Sequence, residues 1–439
     1  MIFRTSLAII LVLLSGGLKA QHQSWSLSEC INHAVKHNLQ VRQAGLNTEV
    51  KEANHIQLKA SRFPTLDASA RQYFSWANQQ NTTGDYDFEG NNSTTFSINS
   101  GLTLYNGFRR ENSIKQSLLG YQSAELDKET IKQNISLQVL DYYLQVLYAE
   151  EQLENSINQL LATSQQLELA DERLKLRAIS QADFLQIQSQ YASEKSSQAN
   201  SAKQLLISRL NLMQLLEIPV SDSFEIVRPV IDDQILLYLP VESESTYQQA
   251  LGIRPEIKSA MVQKQVAGYD LKIAEGSFMP VLSMNAGLNT SYNSLAEGLK
   301  YASQMDRNLS PSISLSLSVP IFQQKQNRTQ ISLAKIGMAS AEINETEVRN
   351  QLRKSIENAW AEAISSLEAL NAAISQKEAA KASFAAATER YNVGLINTVD
   401  FLYSKTSLIT AESLLLQARY NAVFSYKVLD FYQGKDLSI

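Results

Sequence analysis

This 439-residue chain offers few side chains for chemistry: four histidines and one cysteine. Cys30, His33 and His37 fall on one helical face at i, i+3 and i+7, and they are residue types that bind metal. A fourth ligand is not evident, so the spacing reads as an amphipathic helix and no metal site is assigned. There is no Gly-rich phosphate loop, no Ser–His–Asp order and no His–carboxylate metal set. The chain therefore reads as no enzyme, with no catalytic residue and no cofactor. The charged positions that stand out are Asp183 and Asp400. Each opens an Asp-Phe-Leu, each follows an Arg ten residues earlier (Arg173, Arg390), and the two copies lie 217 residues apart. Such an aspartate can cap a return helix by holding free N–H groups. Repeated around a narrow pore, it can instead place like charges together, raising their pKa values and attracting cations. Both readings stay open.

The elements that position these residues also come twice. Leu104-Tyr105 matches Ile321-Phe322 and Ile114 matches Ile331 at the same offset, while Ala34–Asn38 matches Ala250–Arg254 and Pro64 matches Pro280 at 216. Repeats of this kind fix the architecture. The chain divides into a first repeat (21–217), a connector with Pro219, Pro229 and Pro240 (218–245), a second repeat (246–430) and a tail (431–439). Each aspartate motif is the turn of a long helical hairpin, with tips near 173–185 and 390–402. The tract from about Phe108 to Leu176 would be on the order of 100 Å long as a helix. Val139, Val146, Leu153, Leu160, Leu167 and Leu174 recur by sevens, and Ile356, Trp360, Ala363, Leu367, Leu370 and Ile374 by fours and threes, which is coiled-coil spacing. Return helices are expected over 182–217 and 398–430, with Gly394 ending its helix in a left-handed turn.

Each repeat begins with shorter helices. Ser26 and Glu29 fit a capping box ahead of a helix to about Val35, a break near Asn38 and a helix to Arg62. The second copy has Ser245 to Leu251, a break at Arg254-Pro255 and a helix to about Gly276. Strands follow. Ile313, Leu315, Leu317, Val319 and Ile321 alternate with Ser312, Ser314, Ser316 and Ser318, and weaker alternation runs through 64–76, 94–105 and 282–288. Strict period two marks half-buried strands. They form hairpins 64–106 and 280–321, with long polar loops at about 77–93 and 293–310. Tyr73, Trp76, Tyr105 and Phe108 are candidates for an interfacial aromatic girdle.

Composition sets the compartment. Net charge is −5, which argues against a nucleic-acid partner. Residues 1–20 read as a signal peptide: Arg4, an apolar run from Leu7 to Leu14, and a small-residue exit. A single Cys excludes an intrachain disulfide. No later run reaches the ~18 apolar residues of a spanning helix, so entry into a membrane requires a closed β-barrel. Four strands cannot close one, since single-chain barrels start at about eight. Three copies would supply twelve strands around a passage, and their long helices could wall a tube. An exported coiled-coil spacer without a pore is the alternative.

The two-copy plan, Leu-Tyr-Asn-Gly at 104–107, and Tyr391-Asn392-Val393-Gly394-Leu395 with Val399-Asp400-Phe401-Leu402 resemble the TolC family of outer-membrane efflux proteins. The resemblance implies a mostly helical, two-repeat fold that trimerises into a twelve-stranded β-barrel continued by a long periplasmic α-barrel. It implies an exit duct in the bacterial outer membrane, in contact with its lipid, that docks a periplasmic adaptor and an inner-membrane transporter. By the same resemblance Asp400 matches an acidic ring at the periplasmic entrance. Asp183 and Tyr391 match positions that link neighbouring helices and hold the entrance shut. Leu176, Arg177, Ala178, Val393, Gly394 and Leu395 match adaptor-docking tips. The family's second ring aspartate falls on Tyr403, a gate arginine falls on Ile396, and Gln323-Gln324 replaces the second Asn-Gly.

Overall fold

The computed structural model describes residues 24–80, 84–220, 224–229, 241–296 and 299–437. The expected signal peptide and positions 221–223 and 230–240 of the connector lie outside them. The elements run α1 (Leu27–His37), α2 (Leu39–Ala60), β1 (Thr65–Gln80), β2 (Tyr86–Tyr105), α3 (Arg109–Lys175), α4 (Gln181–Leu215), α5 (Ser243–Ile253), α6 (Pro255–Glu275), β3 (Val281–Asn293), α7 (Tyr301–Arg307), β4 (Ser310–Ser318), α8 (Gln326–Asn392) and α9 (Thr398–Tyr432).

Duplication is clearer in the backbone than in the sequence. α1 and α5 each have 11 residues, α3 and α8 each have 67, and α4 and α9 each have 35. Positive φ angles also come in pairs 217 residues apart: Gly107 with Gln324, Phe108 with Lys325, Arg177 with Gly394 and Glu217 with Gly434. Glycine is the cheap residue for this conformation. Yet Gln324, Arg177 and Glu217 adopt it wherever the other copy has glycine: at Arg177 and Glu217 the hydrogen bonds that end the preceding helix dictate the turn, and Gln324 lies in the turn that leads into α8.

Two compact units result, one of residues 44–128 and 255–349, the other of the remaining described residues. The first holds a four-stranded antiparallel sheet in the order β1-β2-β3-β4. Register sorts its side chains cleanly. Leu66, Ala68, Ala70, Phe74 and Trp76 share one face with Phe96, Ile98, Leu102, Met284, Ala286, Leu288, Ile313, Leu315 and Leu317. The apolar side chains are largely bare, with Leu66 75% and Ile313 81% exposed. Gln72, which interrupts this face, accepts a 2.6 Å hydrogen bond from the Thr94 hydroxyl across the strand. The opposite face carries Ser, Thr, Asn and Gly almost throughout. Tyr73 lies on this polar face and Trp76 on the apolar one, so the two do not belong to one aromatic girdle.

Both loop expectations need correction. Most of the polar stretch 77–93 is strand: β1 runs to Gln80 and β2 starts at Tyr86, so the hairpin ladder carries the Asn-rich sequence. The stretch 293–310 holds α7, and β4 is shorter than expected and ends at Ser318. α7 completes the edge of β3 beyond β4. The Gln304 side-chain amide donates 3.0 Å to the Asn293 carbonyl and accepts 3.0 Å from the Asn293 N–H. The Asn308 side chain donates to the Ser291 carbonyl at 2.6 Å. Backbone groups that a longer β4 would pair are thereby satisfied.

The helical part of this unit is joined by polar contacts. Arg62 grips Glu111 in a fork (3.1 and 2.5 Å), Ser259 bonds Ser123 and Asp127 (3.1 and 2.6 Å), and Lys264 reaches Glu342 and Glu345 (3.0 and 3.3 Å). Gly107 and Gly276, where β2 leaves for α3 and α6 leaves for β3, touch backbone to backbone. A Cβ on Gly107 would lie 2.5 Å from the Gly276 carbonyl oxygen.

The second unit has an apolar core. Cys30, Ala34, Val139, Leu140, Val146, Leu212 and Leu216 are fully buried or nearly so, each large aliphatic contributing roughly 1.5–3 kcal/mol. The capping box of α1 forms as the sequence indicates. Trp25 pairs with Ile226 in a parallel bridge. The Tyr143 hydroxyl donates to the Val227 carbonyl (2.5 Å), with the Trp25 carbonyl at 3.3 Å. The heptad seam changes along α3. Val139 and Val146 are buried, but Leu153, Leu160, Leu167 and Leu174 are only half-buried, and the enclosed row becomes Ser156, Thr163 and Ala170. Ile374 of the α8 seam is 42% exposed, with Ala373 buried beside it. Small residues let the helices approach closely there and leave the leucines outside.

Gly107→Ala should lower the stability read from urea unfolding by about 2–4 kcal/mol, through backbone collision and a strained φ. Gly120→Ala, inside α3 with nothing within 4 Å of the added carbon, should instead stabilise by up to about 1 kcal/mol. A similar response at both sites would refute the packing assigned to Gly107.

Candidate functional site

The two hairpin tips share one geometry. α3 ends with the Ala178 N–H bonded to the Arg173 carbonyl (2.8 Å) and the Arg177 N–H to the Leu174 carbonyl (2.9 Å). α8 ends with Leu395 on Arg390 (2.8 Å) and Gly394 on Tyr391 (3.0 Å). This is the two-bond Schellman closure, with Arg177 and Gly394 in the left-handed position. The Arg that precedes each Asp-Phe-Leu thus supplies the terminal carbonyl acceptor. Closure leaves Leu176, Val393 and Leu395 bare at 79%, 69% and 70% exposure, with Arg177, Ala178 and Gly394 exposed beside them.

The aspartates are not N-caps. Ser180 caps α4 and Asn397 caps α9, and each aspartate sits three residues further on. Asp183 closes a capping box: its N–H donates to the Ser180 hydroxyl (3.1 Å), which donates to the Asp183 carboxylate (2.6 Å). That carboxylate also accepts from Thr398 at the start of α9, and the two hydroxyls hold its pKa below the usual carboxylate range, Ser180 contributing most. Asn397 caps with its own amide oxygen, which accepts from the Asp400 N–H at 2.8 Å. The Asp400 side chain is exposed, as is Tyr403 at 78%. One tip therefore uses its carboxylate internally, and the other presents it.

Tyr391 reaches Asp183 only indirectly. Its hydroxyl lies 3.4 Å from that of Thr398, a residue 3% exposed. Thr398 has one proton, and giving it to Asp183 makes Tyr391 the donor to Thr398. The Tyr391 ring stacks on Phe401 (centroids 4.6 Å, 16°), which also meets Phe384 (5.6 Å). Phe401 is thus the apolar footing of its tip.

A second joint escaped the sequence reading. Lys405 of α9, Glu194 of α4 and Thr163 of α3 are 5%, 6% and 0% exposed. Lys405 Nζ stands 3.1 Å from Glu194 Oε1, and the Thr163 hydroxyl bonds both partners. Gln190 donates to Glu194 at 2.8 Å, and Lys405 reaches Gln166 at 3.4 Å. Burial pushes the Lys405 pKa down, against the opposing charge of Glu194. The one trace in the sequence is Thr163 in the small-residue row of α3.

Cys30, His33 and His37 do not converge. Burial holds the Cys30 thiol up at about 12, so it is protonated at neutral pH and a poor ligand. His33 stacks on His37 (4.1 Å) and meets the edge of Trp25 (5.1 Å). Among the described residues no group of three or more His, Cys, Asp or Glu is placed to hold a metal.

A two-repeat chain, a sheet with one apolar and one polar face, and paired helical hairpins are now in view. The family model of the outer membrane efflux protein matches residues 30–217 and 246–435. The chain belongs to that family. It is an outer-membrane protein of the efflux class. It is 26% identical over 198 residues to the outer membrane efflux protein BepC of Brucella suis, a stretch covering 44% of this chain and 41% of that one. It is 24% identical over 366 residues to the pyoverdine export outer membrane protein OpmQ of Pseudomonas aeruginosa, covering 81% and 73%. The crystal structure of the outer membrane protein VceC from Vibrio cholerae superimposes with a TM-score of 0.77 at 17% identity, over 94% of this chain and 97% of that one, so the fold is shared.

Thr398→Val should loosen the tip more than Tyr391→Phe, since it removes a bond to a carboxylate where the phenylalanine loses one long neutral bond. Faster amide exchange at 176–184 than at 139–147 is the readout, and equal effects of the two substitutions would contradict the relay. Asp183 is held low, so its contribution is complete above the ordinary value of 3.8 and disappears as pH falls through the lowered one. Lys405→Ala strands a buried carboxylate and should cost about 3–5 kcal/mol, most of it recovered by Lys405→Met with Glu194→Leu. Thermal unfolding of the three proteins checks this.

Proposed function

We propose that this chain is one third of a homotrimeric exit duct in the outer membrane, serving a tripartite efflux or secretion system with a periplasmic adaptor and an inner-membrane transporter. The observation that carries the reading is the sheet. Four strands present a bare apolar face and a Ser/Thr/Asn face, and among the described residues each outer strand, β1 and β4, is paired on one side only. In hydrocarbon such edges are intolerable unless closed. Three copies joined β4 to β1 give twelve strands, apolar outward to lipid and polar inward to a passage. The pyoverdine-export and efflux names of the relatives favour an export duct over a spacer without a pore.

The tips supply the entrance. Asp400, exposed at the start of α9, forms an acidic ring in three copies, with Tyr403 one turn further along. Asp183, Thr398 and Tyr391 tie the two hairpins of each copy into the closed state. Leu176, Arg177, Ala178, Val393, Gly394 and Leu395 form the bare surface onto which the adaptor docks.

Cysteine pairs across the β4–β1 junction test the closure. Within one chain β1 and β4 are three strand spacings apart, about 14 Å, beyond the reach of a disulfide. Ser69→Cys combined with Ser314→Cys or Ser316→Cys should therefore give covalent trimers on oxidation of outer-membrane fractions. Monomers alone from every pair would reject the assembly. In planar bilayers Asp400→Ala should reduce cation preference and block by multivalent cations, and unchanged conductance and block would move the gate elsewhere.

A further inference from the structure

Over the rows from Thr65 to Arg71 the polar face of the sheet carries two charged residues, and they are arranged; Asp87 and Glu89 take register positions on the same face nearer the hairpin turn. Following the register across all four strands, Thr65, Ser69, Thr95, Ser97, Asn99, Gly101, Thr103, Ser283, Asn285, Gly287, Asn289, Ser312, Ser314 and Ser316 share this face. Asp67 and Arg71 of β1 share it too, and among the described residues of these rows they are its only charged side chains. Asp67 opens the row Asn99–Gly287–Ser312, and Arg71 opens the row Thr95–Ser291. The row between them holds Ser69 and Ser97, whose hydroxyls are 2.7 Å apart. The two charges are four positions apart, about 13 Å along a strand, so they form two levels and not one ion pair. Both are exposed.

We infer that Asp67 and Arg71 form two stacked charged rings in the bore of the barrel, and that the Arg71 ring is a selectivity station for carboxylate- or phosphate-bearing solutes. The inference rests on the trimeric-duct reading and names what that duct favours. A wall of Ser, Thr and Asn hydroxyls and amides hydrogen-bonds solutes of either sign equally, so sign discrimination falls to whichever fixed charges project from it. Three guanidinium forks at one level match paired oxygens of a carboxylate or a phosphate two bonds at a time. The Asp67 level holds such solutes away from the helical side, because β1 starts there and runs outward. Gly287 stands in the Asp67 row, and an added Cβ there would meet Asn99 Oδ1 at 3.3 Å and Ser312 Oγ at 3.1 Å. Glycine keeps that row from crowding inward.

The test is the reversal potential of the purified trimer in a planar bilayer under a salt gradient, with about 0.1 M salt on the dilute side so that the screening length stays near ~10 Å. Arg71→Gln should shift the permeability ratio toward cations and Asp67→Asn toward anions, each by about threefold or more. Inorganic phosphate and acetate should reduce the single-channel current of the wild type more than that of Arg71→Gln. Cysteine accessibility supplies an independent reading: Cys30 is buried, so Arg71→Cys reports alone. A membrane-impermeant maleimide added to whole cells should label Arg71→Cys and spare Ile313→Cys on the lipid-facing side. Steady openings whose reversal potential neither substitution moves overturn the selectivity station and leave the duct standing. Wild-type protein that carries no current, with Arg71→Cys sealed from the reagent, overturns both.

Discussion

A sheet edge in a membrane has no water to fall back on. Every N–H and C=O along β1 and β4 needs a protein partner, and the described residues of the chain pair each strand on one side only. That constraint ranks the rest of the structure. It dictates why the sheet can be bare on its apolar face, why the polar face can be built from small neutral side chains, and why a stable free monomer of this sheet in a bilayer is excluded. It also explains α7. Where β4 stops short, Gln304 and Asn308 take over hydrogen bonds that strand pairing would have made to β3. An edge that no strand reaches is closed by side-chain amides.

Duplication is enforced at the level of hydrogen bonds. Helix lengths of 67 and 35 residues recur without a residue of drift, and left-handed backbone recurs at equivalent places whether or not glycine is present. A helix that ends in the two-bond closure fixes φ at the following residue. Arg177 accepts the conformational penalty that Gly394 avoids, which shows that the turn matters more to the fold than the identity of the residue in it.

The tips divide their labour through one asymmetry. Equivalent aspartates occupy equivalent positions, but Ser180 and Thr398 draw in the carboxylate of Asp183, while the cap of α9 is made by Asn397 and leaves Asp400 exposed. At Ser180 one hydroxyl accepts from the Asp183 N–H and donates to its carboxylate, and the Ser180 N–H adds a bond to the same carboxylate; at Asn397 the amide oxygen accepts from the Asp400 N–H. Deeper in the same unit, Lys405, Glu194 and Thr163 join three helices by a buried charge pair. Such a pair adds little net stability, but removing one partner strands the other as a buried charge.

The sequence by itself determined what depends on neighbours along the chain. Period-two serines in 312–318, the heptads, the capping box at Ser26 and Glu29, and the left-handed turn at Gly394 are all legible, because local backbone geometry imposes their spacing. The same local logic misread the Asn-rich stretch near 77–93 as loop, since what holds those residues in strand is the opposite strand of the hairpin. It also credited Leu153 to Leu174 with the seam, when the enclosed row is Ser156, Thr163 and Ala170. A heptad of leucines and a heptad of small residues coexist on α3, and only the packed neighbours decide which one faces inward. Thr398 between Tyr391 and Asp183, Lys405 against Glu194, and Asp67 and Arg71 on a shared polar wall belong to the same class. Their partners lie on other elements, and register and packing, which no local pattern encodes, bring them together.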